Sequence, residues 1–335
     1  MAKQGSNLHG ILVIDKPGWD EVSPGRTQAD IRLPTSHDLV QRVRRWSGQR
    51  RIGHTGTLDP MASGVLVLCL GLATRLVEYY QGHDKSYDAE IVLGTSTDTY
   101  DATGMVVAQG DLPPLTPTIV ETALDRFRGT IQQQPPIYSA LKQDGETAYR
   151  KARRGESVEL ATRTVTFHAL ELVEIIAPDR LVLRVRCSAG TYIRSLAYDL
   201  GMALGVPAHL GRLRRTAAGA FTSAQAHTPD IIEAAASAQS LGDLLLPLGT
   251  ALDLPACIVD DEQARRFGFG QHVELTMPNV GEPGIDAPKI EGPVLMQACN
   301  PTGRLLGIIR RVAGDSVHAA VWKAEKWLVV DGETV

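Results

Sequence analysis

Residues 53–70 constrain this chain more than any other segment. Gly53-His54-Thr55-Gly56-Thr57-Leu58-Asp59-Pro60-Met61-Ala62-Ser63-Gly64 is rich in glycine and small polar residues, and it runs directly into the apolar stretch Val65–Leu70. That stretch is of strand length and reads as a buried strand. The preceding segment is too irregular for an element of its own. Its glycines and proline force tight turns, so it reads as a loop that holds a side chain at a fixed point beside a sheet. It offers one carboxylate, Asp59, and one imidazole, His54. No Gly-Lys-Ser/Thr follows, so it is not a phosphate-binding loop. It holds no second carboxylate, so it is not the acid pair of a glycosidase. Asp before Pro also initiates ordinary turns, and a single His is commonly a hydrogen-bonded structural residue. The loop alone leaves both readings open.

Other elements follow from periodicity. Ile11–Ile14 reads as a strand ended by Asp15-Lys16-Pro17-Gly18, and Trp19–Pro34 as an irregular loop. A helix follows with Ser36 as N-cap and Leu39, Val40 and Val43 as its apolar stripe. Tyr87–Leu93 alternates as a half-buried strand does, and so does Leu181–Cys187. Thr118 and Glu121 fit a capping box for a helix closed by Gly129, and a basic helix is expected over Glu146–Arg154. Ser188-Ala189-Gly190 turns the chain into another helix near Thr191. Beyond a boundary in Ser237–Pro255 come a short helix, Asp260–Phe267, and four β-like runs: Val294–Cys299, Leu305–Arg311, Val317–Trp322 and Trp327–Val330. Strands and helices mix without a βαβ repeat. The expected class is therefore α+β: a first domain over 1–252 and a small β-rich domain over 253–335.

Length (335 residues) suits two domains, and 43% hydrophobic with 21% charged residues suits a globular chain. No apolar run could span a membrane, and Met1–Asn7 lacks the apolar core of a signal peptide, so the cytoplasm is the expected location. The cysteines, Cys69, Cys187, Cys257 and Cys299, form no CxxC pair and read as reduced thiols. Net charge is −4, which by itself argues against a polyanion partner. Binding depends on local fields, however, and the basic residues are bunched: Arg42, Arg44, Arg45, Arg50, Arg51; then Arg150, Lys151, Arg153, Arg154; then Arg212, Arg214, Arg215. Each bunch fits a solvated face as well as an RNA contact. A second constellation, Cys187–Arg194, ends a strand and opens a helix carrying Tyr192 and Arg194. Packing and surface roles would account for those two residues taken alone.

The run Gly53–Pro60 resembles the catalytic motif of the TruB family, the tRNA pseudouridine-55 synthases. Further segments resemble that family in its order: Asp15-Lys16-Pro17, Lys85-Ser86-Tyr87, Pro136–Lys142, Ser188–Arg194 and Leu213-Arg214-Arg215. The resemblance spans nearly the whole first domain. It implies an α+β pseudouridine-synthase domain with a mixed, largely antiparallel sheet flanked by helices, followed by a PUA-like RNA-binding domain.

The resemblance also implies roles. Asp59 would be the catalytic carboxylate and Arg194 the arginine that pairs with it and fixes its rotamer. His54 would lie near the flipped nucleotide, Tyr87 would stack on the uracil, and Tyr192 and Leu213 would enclose the base. Lys16 and Pro17 would support the catalytic loop. Residues 133–160 would grip RNA through phosphate contacts. Isomerising uridine in the TΨC loop needs neither redox change nor external nucleophile, so no cofactor or metal is expected. The partner expected is tRNA, with no protein partner implied and a monomer as default. One departure stands out: Gly18–Pro34 is a long insertion where the family has a few residues, read as a tolerated surface loop or, through Trp19, Arg26 and Arg32, as an extra RNA contact. Three rivals remain: a non-catalytic tRNA-binding or folding protein, a guide-RNA-dependent relative, and a metal-dependent hydrolase using His54 and Asp59, for which no third ligand has plausible spacing.

Overall fold

A computed structural model describes residues 8–19, 33–139, 142–143, 146–147, 154, 160–275, 294–316 and 319–329. Its strands in chain order begin with β1 (Gly10–Lys16), β2 (Ile52–His54), β3 (Ser63–Leu70), β4 (Lys85–Leu93), β5 (Thr95–Thr97) and β6 (Val106–Gln109). There follow β7 (Gly129–Gln133), β8 (Lys142–Gln143), β9 (Glu146–Thr147), β10 (Arg163–Ile176), β11 (Arg180–Cys187), β12 (Ala208–Ala218) and β13 (Phe221–Thr222). The last are β14 (Ala256–Ile258), β15 (Val273–Leu275), β16 (Leu295–Cys299), β17 (Leu305–Ser316) and β18 (Ala319–Trp327). The helices are α1 (Ser36–Ser47), α2 (Val77–Gln81), α3 (Pro117–Leu124), α4 (Ile193–Leu204), α5 (Pro229–Ser237) and α6 (Asp261–Gly268).

Nine strands form the main sheet in the order β1-β3-β12-β4-β11-β10-β7, with β2 on β3 and β13 on β12. Every pairing is antiparallel except β12 on β3, which aligns Arg214 with Ser63 and Arg215 with Gly64. The fold is α+β, as expected from the irregular mixing of elements.

The continuous apolar sequence of β3 has a direct cause. Leu66, Leu68 and Leu70 face a core shared with Leu39 and Val43 of α1, Val120 of α3 and Leu196 of α4. Val65, Val67 and Cys69 face a second core completed by Leu252, Leu305, Ile308 and Leu328. The strand is covered on both sides, so alternation has no physical basis there. The second cover comes from a five-stranded sheet, β14-β16-β17-β18-β15, whose far face holds its own core around Phe267, Trp322 and Ile309.

Gly64 shows how tightly β12 and β3 approach. Its φ is +97°, and a Cβ there would stand 2.2 Å from the carbonyl oxygen of Arg215. Gly64→Ala should therefore cost roughly 2–4 kcal/mol, because strain and a backbone clash act together. Urea unfolding would measure it, and an unchanged midpoint would refute the close-approach argument.

Several local expectations are corrected. Thr35, not Ser36, caps α1, in a reciprocal capping box with Asp38. Thr116 caps α3, with Pro117 following, and the helix ends at Leu124; Gly129 opens β7. Glu146 and Thr147 pair with Lys142 and Gln143 in a small hairpin, so no helix begins at Glu146. Ala319–Trp327 is one strand, and no separate strand follows Trp327 through Val329. The loop of residues 53–64 contributes its ends to β2 and β3. Strands β10 and β12 escaped the pattern reading because each carries two register shifts, which interrupt the two-residue period. Most of the insertion 18–34 and of the segment 133–160 lies outside the described residues.

Candidate active site

The loop between β2 and β3 is held from three distant parts of the chain. Ser36, buried at the start of α1, accepts from the Leu58 amide at 2.9 Å and donates to the Leu58 carbonyl at 3.0 Å. This is the side chain's actual work, one residue after the cap. Lys16, fully buried, donates through Nζ to the carbonyls of Pro60 (2.8 Å), Ala62 (2.6 Å) and Pro17 (3.0 Å). Arg215 donates through Nε to Val65 O (2.6 Å) and through Nη2 to Gly56 O (3.1 Å). Asp59 sits between these anchors, its own carbonyl accepting from the Ala62 amide at 3.1 Å. Ser36→Ala removes both bonds to Leu58 in a dry setting. It should cost about 1–3 kcal/mol in urea unfolding and lower turnover, since Leu58 adjoins Asp59. Full activity in that variant would refute the pinning role.

Asp59 meets Arg194 in a two-pronged contact, Nε to Oδ2 at 2.9 Å and Nη2 to Oδ1 at 3.1 Å. The Nη2 contact is a hydrogen bond and the Nε contact an ion-pair distance, and the two together fork onto the carboxylate and fix its direction as well as its position. The guanidinium side chain is 6% exposed and the Asp59 side chain 33%, so the carboxylate has an open face and its partner does not. Behind the pair, Arg194 Nη1 faces Asp101 Oδ2 at 3.6 Å and donates to Thr99 O at 3.2 Å, while Nη2 also donates to Tyr138 O at 3.1 Å. Asp101 is itself tied down: its Oδ1 accepts from the Thr99 hydroxyl, the Thr103 amide and the Thr103 hydroxyl.

The open face of Asp59 borders a cavity of about 1070 Å³. His54, Tyr87, Tyr192, Arg194 and Leu213 line it with Asp59, so the structure brings six of the anticipated residues together. Lys16 and Pro17 do not line it; they stand under the loop. Across β4 and β12, Tyr87 lies opposite Arg215 and Leu213 opposite Ala89, two residues along. Gln133 brackets the backbone of Tyr192, accepting from its amide (2.8 Å) and donating to its carbonyl (2.9 Å). Burial above all holds the Tyr87 and Tyr192 phenols above their ordinary values. The His54 imidazole is held below its ordinary value by burial, then by Arg215 and His37, which favours its neutral form. Lys85, at the cavity edge, is pushed down to about 8, mainly by burial and then by Arg215. Asp98 also borders the cavity, but its Oδ1 accepts from the Met105 amide at 2.8 Å. The site thus presents one forked, half-exposed carboxylate in a partly apolar chamber with aromatic walls. It suits attack on, or proton removal from, a planar ring by a single carboxylate.

Sequence reasoning missed Asp101, Ser36, Gln133 and the loop-binding role of Arg215. Asp101 lies in Asp98-Thr99-Tyr100-Asp101, whose density of turn-forming polar residues is the one available signal. The third basic bunch is not a free cationic patch. Arg215 is buried, Arg214 pairs with Asp15 at 2.8 Å, and Arg212 faces Glu90 at 3.8 Å. At the start of the insertion, Trp19 donates its amide to Met61 O at 3.0 Å, so that segment departs directly from the loop. Among the described residues no cluster of three His, Cys, Asp or Glu side chains could hold a metal, and no helix is long and apolar enough to cross a membrane.

This fold has close solved counterparts. A chain from the crystal structure of a Cbf5-Nop10-Gar1 complex superposes with a TM-score of 0.68 at 25% identity, over 96% of this chain and 85% of that one. One from the structure of an H/ACA RNP bound to a substrate RNA containing 2'-deoxyuridine gives 0.67 at 24%, over 96% and 86%. Residues 44–193 match the N-terminal domain of the TruB family pseudouridylate synthases, and 194–253 match the tRNA pseudouridylate synthase B C-terminal domain. Fold and family matches together define a pseudouridine synthase, an isomerase. The tRNA pseudouridine synthase B of Xanthomonas axonopodis pv. citri (strain 306) is 43% identical over 84% of this chain and 87% of its own length. That of Ralstonia pickettii (strain 12J) is 38% identical over 90% of each. The chain belongs to the TruB family.

Proposed function

We propose that this enzyme isomerises the uridine at position 55, in the TΨC loop of tRNA, with Asp59 as catalytic carboxylate. The observation that carries the reading is the forked Asp59–Arg194 pair opening onto a cavity walled by Tyr87, Tyr192 and Leu213. A stacked uridine offers its ring to no such chamber, so the base must leave the helix first. Tyr87 then stacks on the uracil, contributing ~1–3 kcal/mol against the cost of unstacking. Tyr192 and Leu213 enclose the ring, and His54, kept neutral, hydrogen-bonds the displaced nucleotide. Arg194 aims Asp59 at the reacting ring or sugar carbon, so that cleavage, rotation of the base and rebonding through C5 occur in one closed space. Lys16 and Pro17 hold the loop from below. Tyr138 O, on Arg194 Nη2, links the RNA-gripping segment 133–160 to the same pair. Residues 1–252 form the catalytic domain and 253–335 a PUA-like unit that holds the RNA. The tRNA substrate is supported by the relatives, which are named for tRNA.

The test is an unmodified tRNA transcript incubated with purified protein alone and mapped for pseudouridine. A single modified T-loop uridine is expected, with none in a transcript carrying cytidine there. The likeness to the Cbf5 chain gives a guide-dependent reading its one support. Modification appearing only when a guide RNA or protein partner is added would favour that reading and sink ours.

A further inference from the structure

Tyr100 is a non-glycine residue in the left-handed region, with φ +64°. A glycine would adopt this conformation at no steric cost, whereas a tyrosine keeps it only where its surroundings compel it. The reversal at Tyr100 lets the residues on either side reach one atom. Thr99 offers its carbonyl and Asp101 its carboxylate to Arg194 Nη1, at 3.2 and 3.6 Å. The turn is wired to the sheet: the Leu210 amide of β12 donates to Tyr100 O at 3.0 Å, and the Ala102 amide donates to Leu210 O at 2.9 Å. Within the turn, the Thr97 hydroxyl donates to Asp101 O at 2.7 Å.

The Tyr100 ring supplies what glycine could not. It stacks on Tyr198, with ring centroids 4.3 Å apart and planes inclined by 19°. Tyr198 belongs to α4, four residues after Arg194, which places the two on one face a helical turn apart. Neither ring lines the cavity. We propose that the Tyr100–Tyr198 stack is a positioning clamp. It holds the Asp101 turn at a set distance from α4, and so fixes the one orientation of Arg194 that grips Asp101 behind and forks onto Asp59 in front. The pair are positioning residues for turnover, not contacts for substrate. The inference rests on Asp59 being the catalytic carboxylate.

The experiment compares Tyr198→Ala, Tyr198→Phe and Tyr100→Gly with wild type and Asp59→Asn, in steady-state assays on a tRNA T-arm stem-loop with thermal melts in parallel. Tyr198→Ala should lower kcat by roughly 10- to 100-fold, the range for a sub-ångström to ångström misplacement, with KM within about twofold. Tyr198→Phe keeps the ring and should stay within about threefold of wild type. Tyr100→Gly relieves the backbone yet loses the stack, and should lose kcat as Tyr198→Ala does while still melting cooperatively. It is the variant that decides if Tyr198→Ala does not fold. Wild-type kcat in Tyr100→Gly, a rise in KM at unchanged kcat, or equal losses in Tyr198→Phe and Tyr198→Ala would each overturn the clamp. An active Asp59→Asn would instead overturn the site reading itself, whereas an inactive Asp59→Asn beside a fully active Tyr100→Gly would remove the clamp alone.

Discussion

Asp59→Asn should reduce pseudouridine formation by roughly four orders of magnitude or more, the scale seen when a catalytic group is removed without disturbing its frame. The frame survives because nothing that holds the loop depends on the Asp59 side chain. Ser36, Lys16 and Arg215 all bind main-chain atoms of residues 56–65. The amide retains one oxygen for Arg194, so the variant should melt near wild type and bind tRNA with similar affinity. Single-turnover pseudouridine release and filter binding, side by side, measure the two quantities. Turnover at more than a hundredth of wild type would show that another group carries the reaction. Lost binding with lost turnover would mean that the carboxylate holds RNA rather than transforms it, which returns the non-catalytic reading to contention.

Arg194→Met should damage both stability and activity, because Arg194 alone serves four acceptors. Its loss leaves Asp101, itself 6% exposed at the side chain, without its cation and deprives Tyr138 O and Thr99 O of donors. Removing one partner of a buried pair costs about 3–5 kcal/mol, far more than the pair contributes relative to a well-packed apolar substitute. Asp59, no longer forked, becomes free to rotate, so kcat should fall by at least about 10²-fold. Arg194→Lys restores charge but offers one point where the guanidinium spans two carboxylates, and it should recover stability better than turnover. Asp101→Asn should follow the same pattern more mildly, since the amide still accepts at Oδ1 from Thr99 and Thr103. An Arg194→Met protein that melts and turns over like wild type would dissolve the network argument.

The α+β class was legible because it depends on the order of patterned segments along the chain, whereas the residues around the cavity were named through the resemblance of ordered motifs to the TruB family. Asp59 and His54 sit in a loop whose glycines betray it, and Tyr192 and Arg194 follow a strand-to-helix turn. What stayed hidden works through the main chain or through irregularity. Arg215 and Lys16 bind carbonyl oxygens, which every residue has, so no pattern marks their targets. Ser36 resembles a cap because it adjoins one, and its contact with Leu58 exists only after α1 packs on the loop. Strands β10 and β12 are bulged, and the bulge in β12 between Arg215 and Ala217 breaks the alternation beside the arginine that reaches the loop. Asp101 depends on a left-handed turn at a tyrosine, a conformation sequence gives no reason to expect.

The parallel contact of β12 with β3 bears on the order of events during synthesis. Arg215 reaches Val65 across 150 residues of sequence, and Arg194 reaches Asp59 across 135. Closing such spans costs entropy that local contacts cannot offset, so these joins form late. Until β12 has left the ribosome and docked, Gly56 and Val65 lack their arginine and Asp59 has only half its setting. A nascent chain released after β4 would carry the whole Gly53–Gly64 motif and still be chemically silent. If Asp59 is the catalytic carboxylate, competence waits for most of the first sheet, so a chain ending before β12 could not act on the RNAs that crowd it as it emerges.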